Sequence, residues 1–158
     1  MTEYLLLKSL HIFSTLLLFG TGLGSAFYKW MADRGGDVRA IATTNRHVVL
    51  ADWLFTTPTI VLQPATGLWL AHLLGLPLTT PWLLLTLILY AIAGLCWLPV
   101  VALQIRMRND ACHALATGAP LPERYRRDAR LWFLLGWPAF VSMTLIVLLM
   151  VFKPHFGG

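Results

Sequence analysis

Lys8 and His11 lie in a stretch that is otherwise nearly all apolar, Tyr4-Leu-Leu-Leu-Lys-Ser-Leu-His-Ile-Phe-Ser-Thr-Leu. An ionisable side chain inside a membrane span is costly and ordinarily faces the interior of a helix bundle, where it serves chemistry. At 100° per residue Lys8, His11, Ser14, Thr15, Gly22 and Ser25 fall near one line of a helix, and Gly20 and Gly24 lie on the opposite side. A neutral imidazole flanked by Tyr, Met and Trp in a dry bundle is a good axial ligand for haem iron. Lys8, one turn away, is placed to pair with a haem propionate. An intramembrane histidine held only by hydrogen bonds fits the same residues.

Composition supplies the elements that must hold that face. Of 158 residues 58% are apolar and only 12% charged, the balance of an integral membrane protein rather than a soluble domain. Four apolar stretches, residues 4–27, 50–74, 81–104 and 131–152, are each long enough to span ~30 Å of hydrocarbon. The expectation is all-α: a single domain over 1–158, an up-down four-helix bundle whose spans are kinked by prolines.

The net charge of +5 does not point to nucleic acid. Ten of the twelve Lys and Arg lie between spans one and two or around the junction of spans three and four; Lys8 and Lys153 are the others. By the positive-inside rule both basic connections are expected in the cytoplasm, and both termini on the outer side of a bacterial inner membrane. Gly24-Ser-Ala26 faintly resembles a signal-peptide cleavage site, but Glu3 stands where a basic n-region belongs. Span one is therefore read as retained.

In span two, Asn45, Asp52, Thr56, Thr59, Gln63 and Thr66 make one straight stripe, with Pro58 and Pro64 among them. A helix polar along one stripe and bent by proline reads as a cavity wall. Threonine hydroxyls can bond back to their own helix, but Asp52 and Gln63 need partners, and Arg46, Arg106 and Arg130 are the cations expected near Asp52. In span three Thr86, Tyr90, Ala93, Trp97 and Gln104 share the inward face, and in span four Trp132, Gly136, Ala139, Met143 and Met150 do so. The level of His11 corresponds to Thr66, Tyr90 and the Met143–Met150 region. A second axial ligand would come from Met150, Met143 or a displaced His72, in that order. Asp52, Gln63, Thr66, Trp97 and Gln104 would form the polar cavity, serving a proton path or a substrate pocket.

Several chemistries are excluded. Cys96 and Cys112 form no CxxC or zinc spacing, and the absence of CxxCH excludes the standard covalent haem attachment. Gly20-Thr-Gly-Leu-Gly24 lies within a span and is no nucleotide fingerprint. His47 and His113 are read as interfacial and surface residues.

Leu7-Lys8-Ser9-Leu10-His11-Ile12, the segment from Asp52-Trp53 to Pro64-Ala-Thr-Gly67, Trp97-Leu-Pro-Val100 with Gln104, Gly136-Trp-Pro-Ala-Phe140 and Lys153-Pro154 together carry a resemblance. They resemble an uncharacterised family of small bacterial integral membrane proteins, the domain of unknown function 2269, over nearly the whole chain. That likeness implies a fold and no activity. The Lys-x-x-His start, the Pro-to-Thr-Gly second span and the closing Lys-Pro are more distantly similar to membrane haem-binding protoporphyrinogen oxidases and to copper-resistance D proteins. Similarity to the oxidases implies haem at His11.

The expectation for function is thus a b-type haem protein of the membrane, acting in electron transfer or as an oxidoreductase on a lipophilic substrate. The alternatives are an accessory or assembly subunit that docks a membrane redox partner, or a second copy of itself, through Gly20 and Gly24, and a transporter of a small solute or metal. Against the transporter, no inverted repeat is visible.

Overall fold

The structure, a computed structural model, describes residues 1–154, and His155 lies outside the described residues. It consists of helices α1 (Thr2–Gly35), α2 (Val38–Ala51), α3 (Thr57–Leu73), α4 (Pro81–Thr117) and α5 (Glu123–Phe152). A single π-helical turn, Asp52–Thr56, joins α2 to α3 into one rod. The four rods are each long and apolar enough to cross a membrane, and they form an all-α membrane bundle with short connections.

Local chemistry sets the boundaries. α1 ends where Gly36 takes a left-handed conformation at φ 72°, and α4 ends in the same way at Gly118, φ 66°. Asp37 caps α2, its carboxylate accepting from the Arg39 amide at 3.0 Å. The π turn has an equally local cause. Pro58 has no amide proton to give and its ring crowds the preceding turn. The Thr57 amide instead reaches back five residues to the Asp52 carbonyl, a wider turn that admits the proline.

The bundle is inverted relative to a soluble protein. Leu16, Val61, Leu95 and Val151 are all more than 60% exposed and face lipid, whereas Ser14, Thr56, Thr59, Gln63, Thr66, Thr86, Gln104 and Ser142 are buried. α4 and α5 pack as an antiparallel hairpin, α1 packs on both α2 and α3, and α2 packs on α4. The apolar core of Ile41, Ala42, Val100, Leu103, Met107, Ala111, Tyr125 and Trp132 sits at the end that carries the basic connections. Backbones of α1 and α5 are not closely packed, and the two helices meet through long side chains: Phe19 stacks edge-on against Phe140 at 5.5 Å, and Lys29 and Asp33 reach Tyr125.

Candidate functional site

His11 is half-buried on the face of α1 that packs on α3. The Ser14 and Thr15 hydroxyls donate to the His11 carbonyl at 3.0 and 2.9 Å, so both protons are used within their own helix. Across the interface α3 presents Gln63, Thr66 and Gly67. Gln63 Nε2 donates to Thr15 Oγ1, and His11 Nδ1 lies 2.7 Å from Thr66 Oγ1.

The Thr66 hydroxyl also lies 2.6 Å from the Leu62 carbonyl of its own helix. With its proton on that carbonyl it accepts from His11 Nδ1–H, the tautomer that leaves the Nε2 lone pair open. Nε2 has no hydrogen-bond partner among the described residues. Gly67 makes the approach possible: a Cβ there would meet His11 Cε1 at 3.2 Å, and no other glycine of the described residues has a neighbour so placed. An oriented imidazole with an open Nε2, its Nδ1 held by a hydroxyl oxygen, is the donor arrangement that would suit haem iron. The residues of this half of the site fit that group.

The rest of the expected ligand set is not assembled. Lys8 is exposed, with its ammonium 5.6 Å from the centre of the Tyr4 ring, and takes no part in the His11 hydrogen bonds. His72 is exposed beside the buried Ala71, so the prolines do not swing it inward. Met143 and Met150 are half-buried on α5, a helix whose backbone packs closely on neither α1 nor α3. Tyr90, expected at the level of His11, donates instead to the Ile60 carbonyl at 2.5 Å, deeper in the bundle. Pro64 is the reason: it has no amide proton for that carbonyl, and Tyr90 supplies one from α4. No group of three His, Cys, Asp or Glu side chains among the described residues could hold a metal ion.

The inward stripes are as expected. Asp52, Thr56, Thr59, Gln63, Thr66, Thr86 and Gln104 are buried, and Trp97 is half-buried with its indole nitrogen enclosed. Asp52 Oδ1 accepts from Thr56 Oγ1 at 2.8 Å, Gln104 approaches the same carboxyl, and Oδ2 has no partner. The arginines expected beside Asp52 are elsewhere. Arg106 pairs with Asp128 at 3.1 Å, Arg46 donates to Cys112 Sγ at 3.2 Å, and Arg130 is exposed. Asp128 sits one helical turn nearer the basic connection than Trp132, within reach of a long α4 side chain, and so takes the cation.

A second polar centre was not foreseen. Lys29, one of the ten basic residues counted in the connections between spans, is 1% exposed. Its ammonium donates to Asp33 Oδ2 at 2.8 Å and to the Tyr125 hydroxyl at 3.1 Å, and lies over the Tyr125 and Trp132 rings at 5.1 and 5.5 Å. The same hydroxyl accepts from Asn45 Nδ2 at 2.8 Å and donates to Asp33 Oδ1 at 2.7 Å. Three rods are tied at one oxygen. Tyr125 lies ahead of the apolar stretch that begins at Leu131, and burial and then the Asp33 carboxylate push its phenol well above the usual tyrosine range. A signal for Lys29 existed: it follows His11 by five whole turns at 3.6 residues and so shares its inward face.

Gly20 and Gly24 make no close helix contact within the chain, and a Cβ at either would meet nothing within 4 Å. They line an open groove of about 430 Å³ between α1 and α2, together with Ser25, Tyr28, His47 and Phe55.

No curated protein and no solved structure matches the chain. The family model described as predicted integral membrane protein, DUF2269, matches residues 5–154. With four apolar rods, polar inward stripes and a match over nearly its full length, the chain belongs to the DUF2269 family of predicted integral membrane proteins.

Proposed function

We propose that this membrane protein binds a b-type haem through His11 and works in electron transfer or in oxidation of a lipophilic substrate. The observation that carries the reading is the 2.7 Å contact of His11 Nδ1 with Thr66 Oγ1, which orients the ring and leaves Nε2 without a hydrogen-bond partner among the described residues. When bound, haem supplies a one-electron redox centre within the bilayer. Thr66 orients the imidazole and tunes its basicity. Gly67 leaves room for the ring, and Lys8, exposed one turn nearer the N-terminus, offers its ammonium to a propionate. His11 is the residue that would hold the iron.

Protein purified in mild detergent should show a Soret band and reducible b-type bands. His11→Ala should lose them and His113→Ala should keep them. A colourless wild-type protein, expressed with ample haem, would favour the second reading: an accessory subunit docking a partner helix in the groove at Gly20 and Gly24.

The charge distribution supports a bacterial inner-membrane topology with both basic connections in the cytoplasm and both termini outside. Reporter fusions near Gly118 and at Gly158 should fall on opposite sides, Gly118 in the cytoplasm.

A further inference from the structure

Of the five enclosed side-chain polar atoms without hydrogen-bond partners among the described residues, Asp128 Oδ1 and Trp132 Nε1 belong to α5, and the other three, Asp52 Oδ2, Trp97 Nε1 and Gln63 Oε1, belong to the inward stripes of the second and third rods. Asp52, Thr56, Thr59, Gln63 and Thr66 succeed one another on a single stripe. From Asp52 to Thr66, the partner of His11, is about 20 Å at ~1.5 Å per residue. Asp52 and Gln63 are only 8% and 7% exposed.

Two of the three atoms accept and one donates. Inside a bilayer no bulk solvent meets them, and a buried polar atom left unmet is unstable. Gln104 approaches the Asp52 carboxyl and still leaves Oδ2 without a hydrogen bond. The Thr59 and Thr66 hydroxyls lie on carbonyls of their own rod, and Gln63 gives one amide proton to Thr15. Buried water makes two to four hydrogen bonds and bridges donor to acceptor. Water at each of these atoms would supply the partner that it lacks.

Asp52 stands at the start of that stripe with no cation to balance it. The basic side chains at its end of the bundle are engaged or exposed: Arg106 on Asp128, Lys29 on Asp33, Arg46 on Cys112, Arg130 outward. A proton on Oδ2 removes an uncompensated charge from the membrane and turns the orphan acceptor into a donor toward water.

We propose that a line of water along this stripe is a proton route, loaded at Asp52 from the end with the basic connections and ending beside Thr15 and His11. The step is proton transfer alone. Asp52 Oδ2–H would give its proton to a water of the line, the last water would release one to solvent at the His11 end, and the carboxylate would be reprotonated from the aqueous phase on its own side. The route rests on the His11 reading only for its destination.

The test uses the full chain in lipid nanodiscs near neutral pH. The infrared spectrum should contain a carboxylic-acid carbonyl band that Asp52→Asn removes and that shifts within seconds in D₂O. Asp52→Glu should move that band rather than remove it, which preserves the assignment if Asp52→Asn fails to fold. The Trp97 indole N–H, assigned through Trp97→Phe, should exchange magnetisation with water in NMR spectra. An ionised Asp52, with no such band, overturns the proposal. So does an Asp52 proton and a Trp97 N–H that both resist D₂O for hours. Both readouts are independent of haem: a colourless protein that passes them retains the route and loses the haem reading.

Discussion

The Tyr90 hydroxyl donates to the Ile60 carbonyl at 2.5 Å, and Ile60 is the residue whose helical partner Pro64 removes. A backbone defect in one rod is thus repaired by a side chain of another. Tyr90→Phe leaves a carbonyl unmet in the membrane and should destabilise the protein by about 1–3 kcal/mol. In a Pro64→Ala background residue 64 again has an amide for that carbonyl, and the same substitution should cost much less. Thermal unfolding of the four proteins in detergent measures the coupling; equal costs in both backgrounds would refute it.

Gly67 and Thr66 together pose the His11 ring. Gly67→Ala places a methyl 3.2 Å from Cε1, so the ring must give by a few tenths of an ångström. Gly67→Leu leaves no room for it. The haem spectrum should be perturbed by the first and lost with the second, while the elution volume stays that of the wild type. Thr66→Val removes the acceptor from Nδ1 and should weaken haem retention by about 10–100-fold, read by transfer to apomyoglobin.

Tyr125→Phe removes the oxygen at which Lys29, Asn45 and Asp33 meet. With buried donors left unmet, the loss should be at least about 2 kcal/mol, and the end with the basic connections should become sensitive to proteolysis near Gly36. The pH dependence has a definite sign. A phenol whose value is raised on folding contributes stability that is present below its ordinary value of about 10 and is lost as pH climbs beyond it. Alkaline unfolding of the wild type should begin above that value, and Tyr125→Phe should flatten this part of the profile.

Gly24→Leu fills open space rather than a helix contact. The isolated chain should keep its stability to within about 0.5 kcal/mol, with its cofactor spectrum intact. If a partner helix occupies the groove beside Gly24, the same substitution should release it, which sedimentation or native mass spectrometry would register as a change in assembly.

Much of this architecture is legible in the sequence because two physical rules act on it almost alone. Lipid excludes unpaired backbone, so apolar stretches of span length become helices. The helical period then sorts side chains between lipid and interior. The stripes through Asn45, Asp52, Thr59, Gln63 and Thr66 and through Thr86, Tyr90, Ala93, Trp97 and Gln104 follow from that period, and their burial follows with it. The level match of His11 with Thr66 follows from equal rise along antiparallel rods.

What the period leaves open is which partner a long or mobile group chooses. Tyr90 passes over His11 for a carbonyl freed by Pro64. Arg106 takes Asp128 and leaves Asp52 without a cation, and Lys29 turns inward onto Tyr125 rather than outward to water. The π turn before Pro58 and the splay that opens the groove at Gly20 and Gly24 are likewise not written in a 100° wheel. Each of these is decided by reach and by competition among several nearby donors and acceptors. Spacing along one helix fixes the face a group occupies, but only the packed neighbours determine the atom it meets.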